Sequence, residues 1–443
     1  MRSTLMLLAM LLPATLMAQQ PKIANIRAYD KTGINVFEDP KDTTTTFDGL
    51  KIKWGAGFTQ QFQSLKHENP SALNNTEGNR LKNMTTGFMT AQANLYMDAQ
   101  LADGIRLNIT SYLSGRHHNE VWIKGGYIQF DKLPFEGQIW DEIMKIATIK
   151  IGHYEIDYGD AHFRRSDGGN TIFNPFMENN IMDAFATEIG GQVMLRKGGL
   201  FGMLAVTNGM IKGNIDSLTE AANPDGDYTK SPSIILKGGF DKQLTKDVRF
   251  RVSGSYYGNQ GGGANTLYGG DRTGSNYQFP MELATTTDAT AAAFSGRFNP
   301  GFTKKINAFM FNGFLKVKGF EAFGTYETSS GRTARETDTR DAKQFAIDGV
   351  YRFGKAEDFF LGVKYNTVTA RLANNATGTG AGPVVYTGDV KINRIAGAAG
   401  WFMTKNILLK GEYVIQKYKD FPTADYRAGG EFKGYVIEAV VGF

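Results

Sequence analysis

Residues 431–443 constrain this chain more than any other stretch. Tyr435, Ile437, Ala439, Val441 and Phe443 share one parity and are apolar or amphipathic. Gly434, Val436, Glu438, Val440 and Gly442 take the other parity and bring a carboxylate with them. Side chains alternate sides along a β-strand, so this is a strand with one apolar face and one that tolerates charge. Such a strand needs neighbours, because its edges leave N–H and C=O groups unpaired.

The same alternation recurs from residue 50 onward. In 104–116, Ile105, Leu107, Ile109 and Leu113 oppose Arg106, Asn108, Thr110 and Tyr112, and in 247–258, Val248, Phe250, Val252 and Tyr256 oppose Arg249, Arg251, Ser253 and Ser255. The pattern predicts about sixteen strands, an even number that can close on itself. The connections alternate too. Long ones at 64–84, 155–186, 209–232, 259–304, 329–342, 370–389 and 419–429 are separated by short ones such as 101–103, 197–199, 243–246 and 317–319. Two exceptions stand out: a short link near His117-His118-Asn119, and a longer one at 132–145 with a helical turn expected at 138–144. Long-short alternation with no fixed-period repeat predicts an all-β, antiparallel up-and-down transmembrane barrel rather than a sandwich or propeller.

Composition agrees. Gly is 53, Phe 31 and Tyr 19 of 443 residues, with only 12 Pro. A mean hydropathy of −0.31 does not argue against a membrane, because only alternate strand residues face lipid in a barrel. A net charge of +5, evenly spread, is too mild to imply nucleic acid. The opening residues read as a cleaved signal peptide, 1–18, with Arg2 ahead of an apolar run and Leu16-Met17-Ala18 before Gln19. Residues 19–49 then form a polar periplasmic segment expected to tuck partly into the barrel mouth, and 50–443 form the barrel. No cysteine is present, so no disulfide framework is possible.

Chemistry candidates are sparse. The five histidines lack convergent spacing for a metal. Ser111, Ser253 and His153 are linked by no catalytic spacing. No enzyme, metal or cofactor is expected. The informative constellation is the parity opposite the apolar one. It carries Lys51, Lys53, Arg106, Lys150, Arg196, Lys237, Arg249, Arg251, Arg352, Lys364 and Lys410 against Asp98, Glu188, Asp241, Glu321, Glu327, Asp348, Glu412 and Glu438. Charges facing mid-bilayer lipid would cost about 2–4 kcal/mol each, so they are assigned to the lumen wall. The surplus of cations leaves a mild anion preference open beside a mixed-charge lumen. Loop 155–186 is long and rich in aromatics. One reading folds it inward to constrict the pore, with Arg164 and Arg165 opposite Asp157 and Asp160. The other leaves both arginines in solvent.

The terminal strand ending on an aromatic resembles the closing strand of bacterial outer-membrane barrels. Ile34-Asn35-Val36-Phe37, Phe58-Thr59-Gln60-Gln61-Phe62, residues 153–163, Asn174-Pro175-Phe176 and Met182-Asp183-Ala184-Phe185 are similar to porins of Bacteroidota outer membranes, distant relatives of the phosphate-selective porin group. The resemblance implies outer-membrane localisation and passive diffusion of small hydrophilic solutes or ions through a water-filled barrel. It also implies lipids and the barrel-assembly machinery (through the strand ending at Phe443) as partners and, by fold-level analogy, a homotrimer. The rival expectations are a transporter for a specific nutrient or hydrophobic compound, and a structural or adhesive barrel whose long loops bind partners.

Overall fold

The structure is a computed structural model. It describes residues 20–443 except 43–44, 71–77, 115–120, 168–169, 212, 214, 216, 221–223, 263, 272, 288–292 and 376–382. The expected signal peptide, His117 and His118 lie outside the described residues.

The alternating segments form β1 (Lys51–Glu68), β2 (Gly87–Phe88), β3 (Gln92–Ala102), β4 (Ile105–Leu113), β5 (Trp122–Phe130) and β6 (Ala147–Glu155). After a long loop come β7 (Thr187–Lys197), β8 (Leu200–Thr207), β9 (Ser233–Thr245), β10 (Val248–Asn259), β11 (Lys305–Val317) and β12 (Phe320–Arg332). The last are β13 (Arg340–Phe353), β14 (Phe359–Ala370), β15 (Val390–Thr404), β16 (Ile407–Lys419) and β17 (Glu431–Gly442). Sequential strands pair antiparallel. β17 returns to β1 from Gly57↔Gly442 to Glu68↔Glu431, and β1 pairs with β3 on its other edge. The two-residue β2 also lies on β1, through Phe62↔Phe88. It extends the line of β3, so the result is a closed barrel of sixteen staves.

Short turns gather at one end and long loops at the other. Lys197-Gly198-Gly199 shows why glycine is needed in a tight hairpin: Gly198 and Gly199 have φ of 63° and 95°, the region that type I′ turns require. The helical turn expected at 138–144 forms as α1 (Gln138–Met144), at the short-turn end.

The outer parity is apolar and exposed around the barrel, as at Leu95, Ile151, Val193, Leu236, Phe311, Ile347, Leu361 and Ile437. Near the turn end it becomes aromatic, with Trp54, Phe320, Phe353, Phe359 and Trp401 exposed and the last two stacked at 5.7 Å. No helix among the described residues is long and apolar enough to cross a membrane. The barrel wall has the apolar band and aromatic rim that suit hydrocarbon.

The interior is packed rather than empty. From the turn end, residues 20–42 enter the lumen: Lys31 N–H donates to Lys405 O at 2.9 Å, and Lys31 Nζ meets Asp358 at 2.5 Å. Phe37, 2 % exposed, packs inside against Phe314 and Phe163. From the other end, loop 156–186 runs down the lumen. Its buried apolar residues include Ile172, Phe176, Met177, Ile181 and Met182. Loop 260–304 covers it, with Leu267 O accepting from Phe185 N–H at 2.8 Å.

Candidate functional site

The entry of the lumen loop is held by charge. Asp160 accepts two bonds from Arg251, both 2.8 Å, and one from Ser253 Oγ at 2.7 Å. The same guanidinium forks onto Glu38 of the N-terminal segment at 2.7 and 2.6 Å. Lys237 reaches Asp157 at 2.5 Å and Asp160 at 2.8 Å. Burial alone would raise both aspartates, but Lys237, with His162 at Asp157 and Arg251 at Asp160, holds them well below the usual carboxylate range. His162 lies between Asp157 (2.9 Å) and Glu155 (3.3 Å). Burial alone would lower its imidazole, yet these two partners leave it above its ordinary value.

Further along, wall side chains replace the partners that the irregular loop backbone lacks, as a buried backbone requires. Lys410 donates to the carbonyls of Thr171, Asn174 and Phe176 at 3.1, 2.9 and 2.9 Å while paired with Glu438 at 3.0 Å. Glu412 accepts from Met177 N–H at 2.9 Å and also from the Tyr277 hydroxyl of the covering loop. Asn366 and Gln344 take the N–H groups of Ile181 and Met182 at 2.6 and 2.9 Å. Gly159 (φ 71°) lies so close to the wall that a Cβ there would stand 2.1 Å from Met310 Sδ.

The expected pairing of Arg164 and Arg165 with Asp157 and Asp160 does not form. Arg164 forks onto wall Asp348, both bonds 3.1 Å. Arg165 binds Asp183 at 3.1 and 2.6 Å and meets Asp271 and Asp167 at 3.2 and 3.3 Å. The wall itself supplies cations to Asp157 and Asp160, so the arginines are free to seek carboxylates deeper in the barrel. Both are buried, not solvated. Of the residues singled out for the pore, Arg106, Asp157, Asp160, Arg164, Arg165, Arg251, Arg352, Lys364, Lys410, Glu412 and Glu438 are all buried, while Lys51, Lys53, Lys150, Arg196, Asp241 and Arg249 keep intermediate exposure. Arg352 pairs with Glu321 at 2.9 Å and Arg249 with Asp241 at 2.7 Å. These contacts bind inserted chain to wall, or wall to wall, instead of lining open water.

One region differs. Between β3–β7 and the inserted segments lies a cavity of about 230 Å³. Toward the turns it is lined by Arg106, Lys150 and Arg196, with Arg27 reaching in from the N-terminal segment. Arg106 and Lys150 share Asp39, at 2.9 and 3.8 Å. Burial would raise Asp39, but Lys150 and Arg106 hold it below its ordinary value. Arg106 also bonds Asp98 at 2.6 Å. The Arg196 guanidinium has no hydrogen-bond or ion-pair partner among the described residues. Toward the loops the lining is Asn94, Lys124, Tyr154, Glu155 and Asp167. No group of three or more His, Asp or Glu among the described residues is placed to hold a metal ion.

Arg27, Glu38, Asp39 and Lys124 were not among the residues singled out from the sequence. Their only signal was position: Lys124 falls in the alternating region from residue 50 onward, and the other three sit in the segment expected to tuck into the mouth.

No protein-family model matches the chain, and no curated protein matches its sequence. Among solved structures it is similar to a loop L8 deletion mutant of OmpT, an outer membrane protein of Vibrio cholerae, at 10% identity over 89% of this chain and 100% of that one, TM-score 0.49. An anion-selective porin from Comamonas acidovorans is 10% identical over 89% of this chain and 99% of that one, TM-score 0.49. Salmonella typhi OmpF in complex with daunomycin is 10% identical over 90% and 99%, TM-score 0.48. At these scores the likenesses carry no argument, and the barrel rests on its own strand pairing.

Proposed function

We propose that this chain is an outer-membrane channel for passive movement of small hydrophilic solutes, and that the solute passes along the β3–β7 wall. One observation carries the reading: a closed barrel turns apolar side chains outward around its circumference, its inward charges lie on the opposite parity, and a polar cavity remains inside. Lipid is then the partner of the outer belt, and the sequence resemblance to Bacteroidota porins agrees with the location. The packed lumen favours a narrow, solute-restricted path over a wide general pore. It also weakens the case for a mild anion preference, because most wall cations already hold carboxylates. Planar-bilayer recording of the purified barrel tests the proposal. Small, uniform conductance steps are expected, with a reversal potential near zero in a gradient of potassium chloride. Absence of any step would remove the channel reading, and steps of a size typical of a wide open pore would remove the restricted path.

A further inference from the structure

The cavity has two chemically different ends. Strand register sets their separation. Arg106 and Lys150 both pair with Gln129 and so share a level, and Arg196, bonded through its N–H to Ile146 O, lies nearer the turns. Tyr154 is four residues beyond Lys150 on the same strand, about 13 Å at a strand's rise per residue. Asn94 and Glu155 lie at that far level.

The cationic end has more positive charge than its carboxylates neutralise, and Arg106 Nε and Arg196 Nε are buried without partners. At the far end the cation Lys124 is already taken by Asp167 (2.5 Å) and Asp271 (2.9 Å). Glu155 Oε1 meets only His162 Nδ1, at a long 3.3 Å, among the described ion pairs, and Asn94 Oδ1 and the Tyr154 hydroxyl have no hydrogen-bond partner among the described residues. Arg106, Tyr154 and Asn94 are at most 4 % exposed, so bulk water does not routinely satisfy their orphaned atoms. Buried polar groups in native proteins nearly always have partners, and a set of orphans lining one cavity points to a ligand.

We propose that the cavity binds a zwitterion of dipeptide length. Its carboxylate faces Arg106, Lys150 and Arg196, and its ammonium faces Glu155, Asn94 and Tyr154. A dipeptide spans about 7 Å between its termini, and the inward reach of the lysine and arginine arms takes up the remaining distance. A simple anion meets the Glu155 carboxylate at the far end. A neutral sugar leaves both the guanidinium and the carboxylate unpaired. The inference deepens the channel reading and rests on it for transport, but binding is measurable without conduction.

The test is calorimetric titration of the detergent-solubilised barrel with glycylglycine, N-acetylglycylglycine and glycylglycinamide, three solutes of similar length that keep both charges, the anion alone or the cation alone. Glycylglycine is expected to bind about tenfold more tightly than either, the value of one charge-assisted contact. Arg196→Gln should erase its advantage over glycylglycinamide, and Glu155→Gln its advantage over N-acetylglycylglycine. Circular dichroism of each variant establishes that the barrel is intact. Equal binding of glycylglycine and N-acetylglycylglycine would mean a plain anion site and overturn the proposal, as would no binding of glycylglycine. Binding without conductance would overturn the channel reading alone, and conductance without binding would overturn this inference alone.

Discussion

The two halves of the lumen are built from the same kinds of residue and end in different states. Along β9–β17, most inward charges meet a partner on the inserted loop, the N-terminal segment or a neighbouring strand: Arg251 with Asp160, Asp348 with Arg164, Lys410 with three loop carbonyls; Lys364, over the Phe176 ring at 5.8 Å, is the exception. Along β3–β7 the inserted chain takes up Arg106 through Asp39 and Lys124 through Asp167, but it leaves a cavity that Arg196 and Glu155 line. Inward charge alone therefore does not make a pore. What decides is whether another segment of the chain supplies the counter-charge. On one side the charges act as clamps, and on the other they remain available to a solute.

Breaking the clamped side should have the largest effect. Asp160→Ala strips a fully buried guanidinium and ammonium of a shared carboxylate, and the loss of one partner from a buried pair costs about 3–5 kcal/mol. Urea unfolding in detergent should show a loss of that order, and bilayer recording should show larger conductance as the loop lets go. An unchanged conductance would show that the loop is held by its apolar packing and not by charge. Gly159→Val comes next. A β-branched residue at φ 71° is strained by about 1–3 kcal/mol before its clash with Met310 is added, and it should raise conductance with a smaller stability loss. On the open side, Arg196→Ala removes no bonded partner. Its stability should stay within about 0.5 kcal/mol of the parent, while its reversal potential moves toward cation selectivity. If Arg196→Ala destabilised as much as Asp160→Ala, the contrast between the halves would fail.

The smallest effect concerns pH. His162 has a folded-state pKa above its unfolded one. Its contribution is therefore complete below the ordinary imidazole value of about 6.5 and is lost as pH rises through the higher folded value. Unfolding midpoints between about pH 5 and 9 should fall with rising pH in the parent more steeply than in His162→Gln. Equal slopes would show that the Glu155–His162–Asp157 contact is electrically silent.

The barrel was legible because its signals are local. Alternation within 247–258 or 431–443 needs only neighbouring residues, and loop lengths are read off the chain. The helical turn at 138–144 was legible for the same reason. The interior was harder. Arg251 and Asp160 are 91 positions apart, and Arg251 and Glu38 are 213 apart. No spacing rule links them, so the parity of Arg251 was clear while its partners were not. Arg164 and Arg165 show the limit most plainly. Their proximity in sequence to Asp157 and Asp160 suggested a local pairing, yet Arg164 goes to wall Asp348, Arg165 to Asp183 farther along the loop, and both aspartates to wall cations.

The seam between β1 and β17 sets an order of assembly. Ala56 and Phe443 exchange hydrogen bonds in both directions, 2.9 and 3.0 Å, and the twelve-residue register above them joins opposite ends of the chain. Contacts so distant in sequence form late, since the whole intervening chain must be ordered before they yield anything. Residues 20–42 enter beneath this seam and lie inside it. Tyr29 lies against Gly55 and Gly442, so the first segment braces from within the joint that the last stave closes from without.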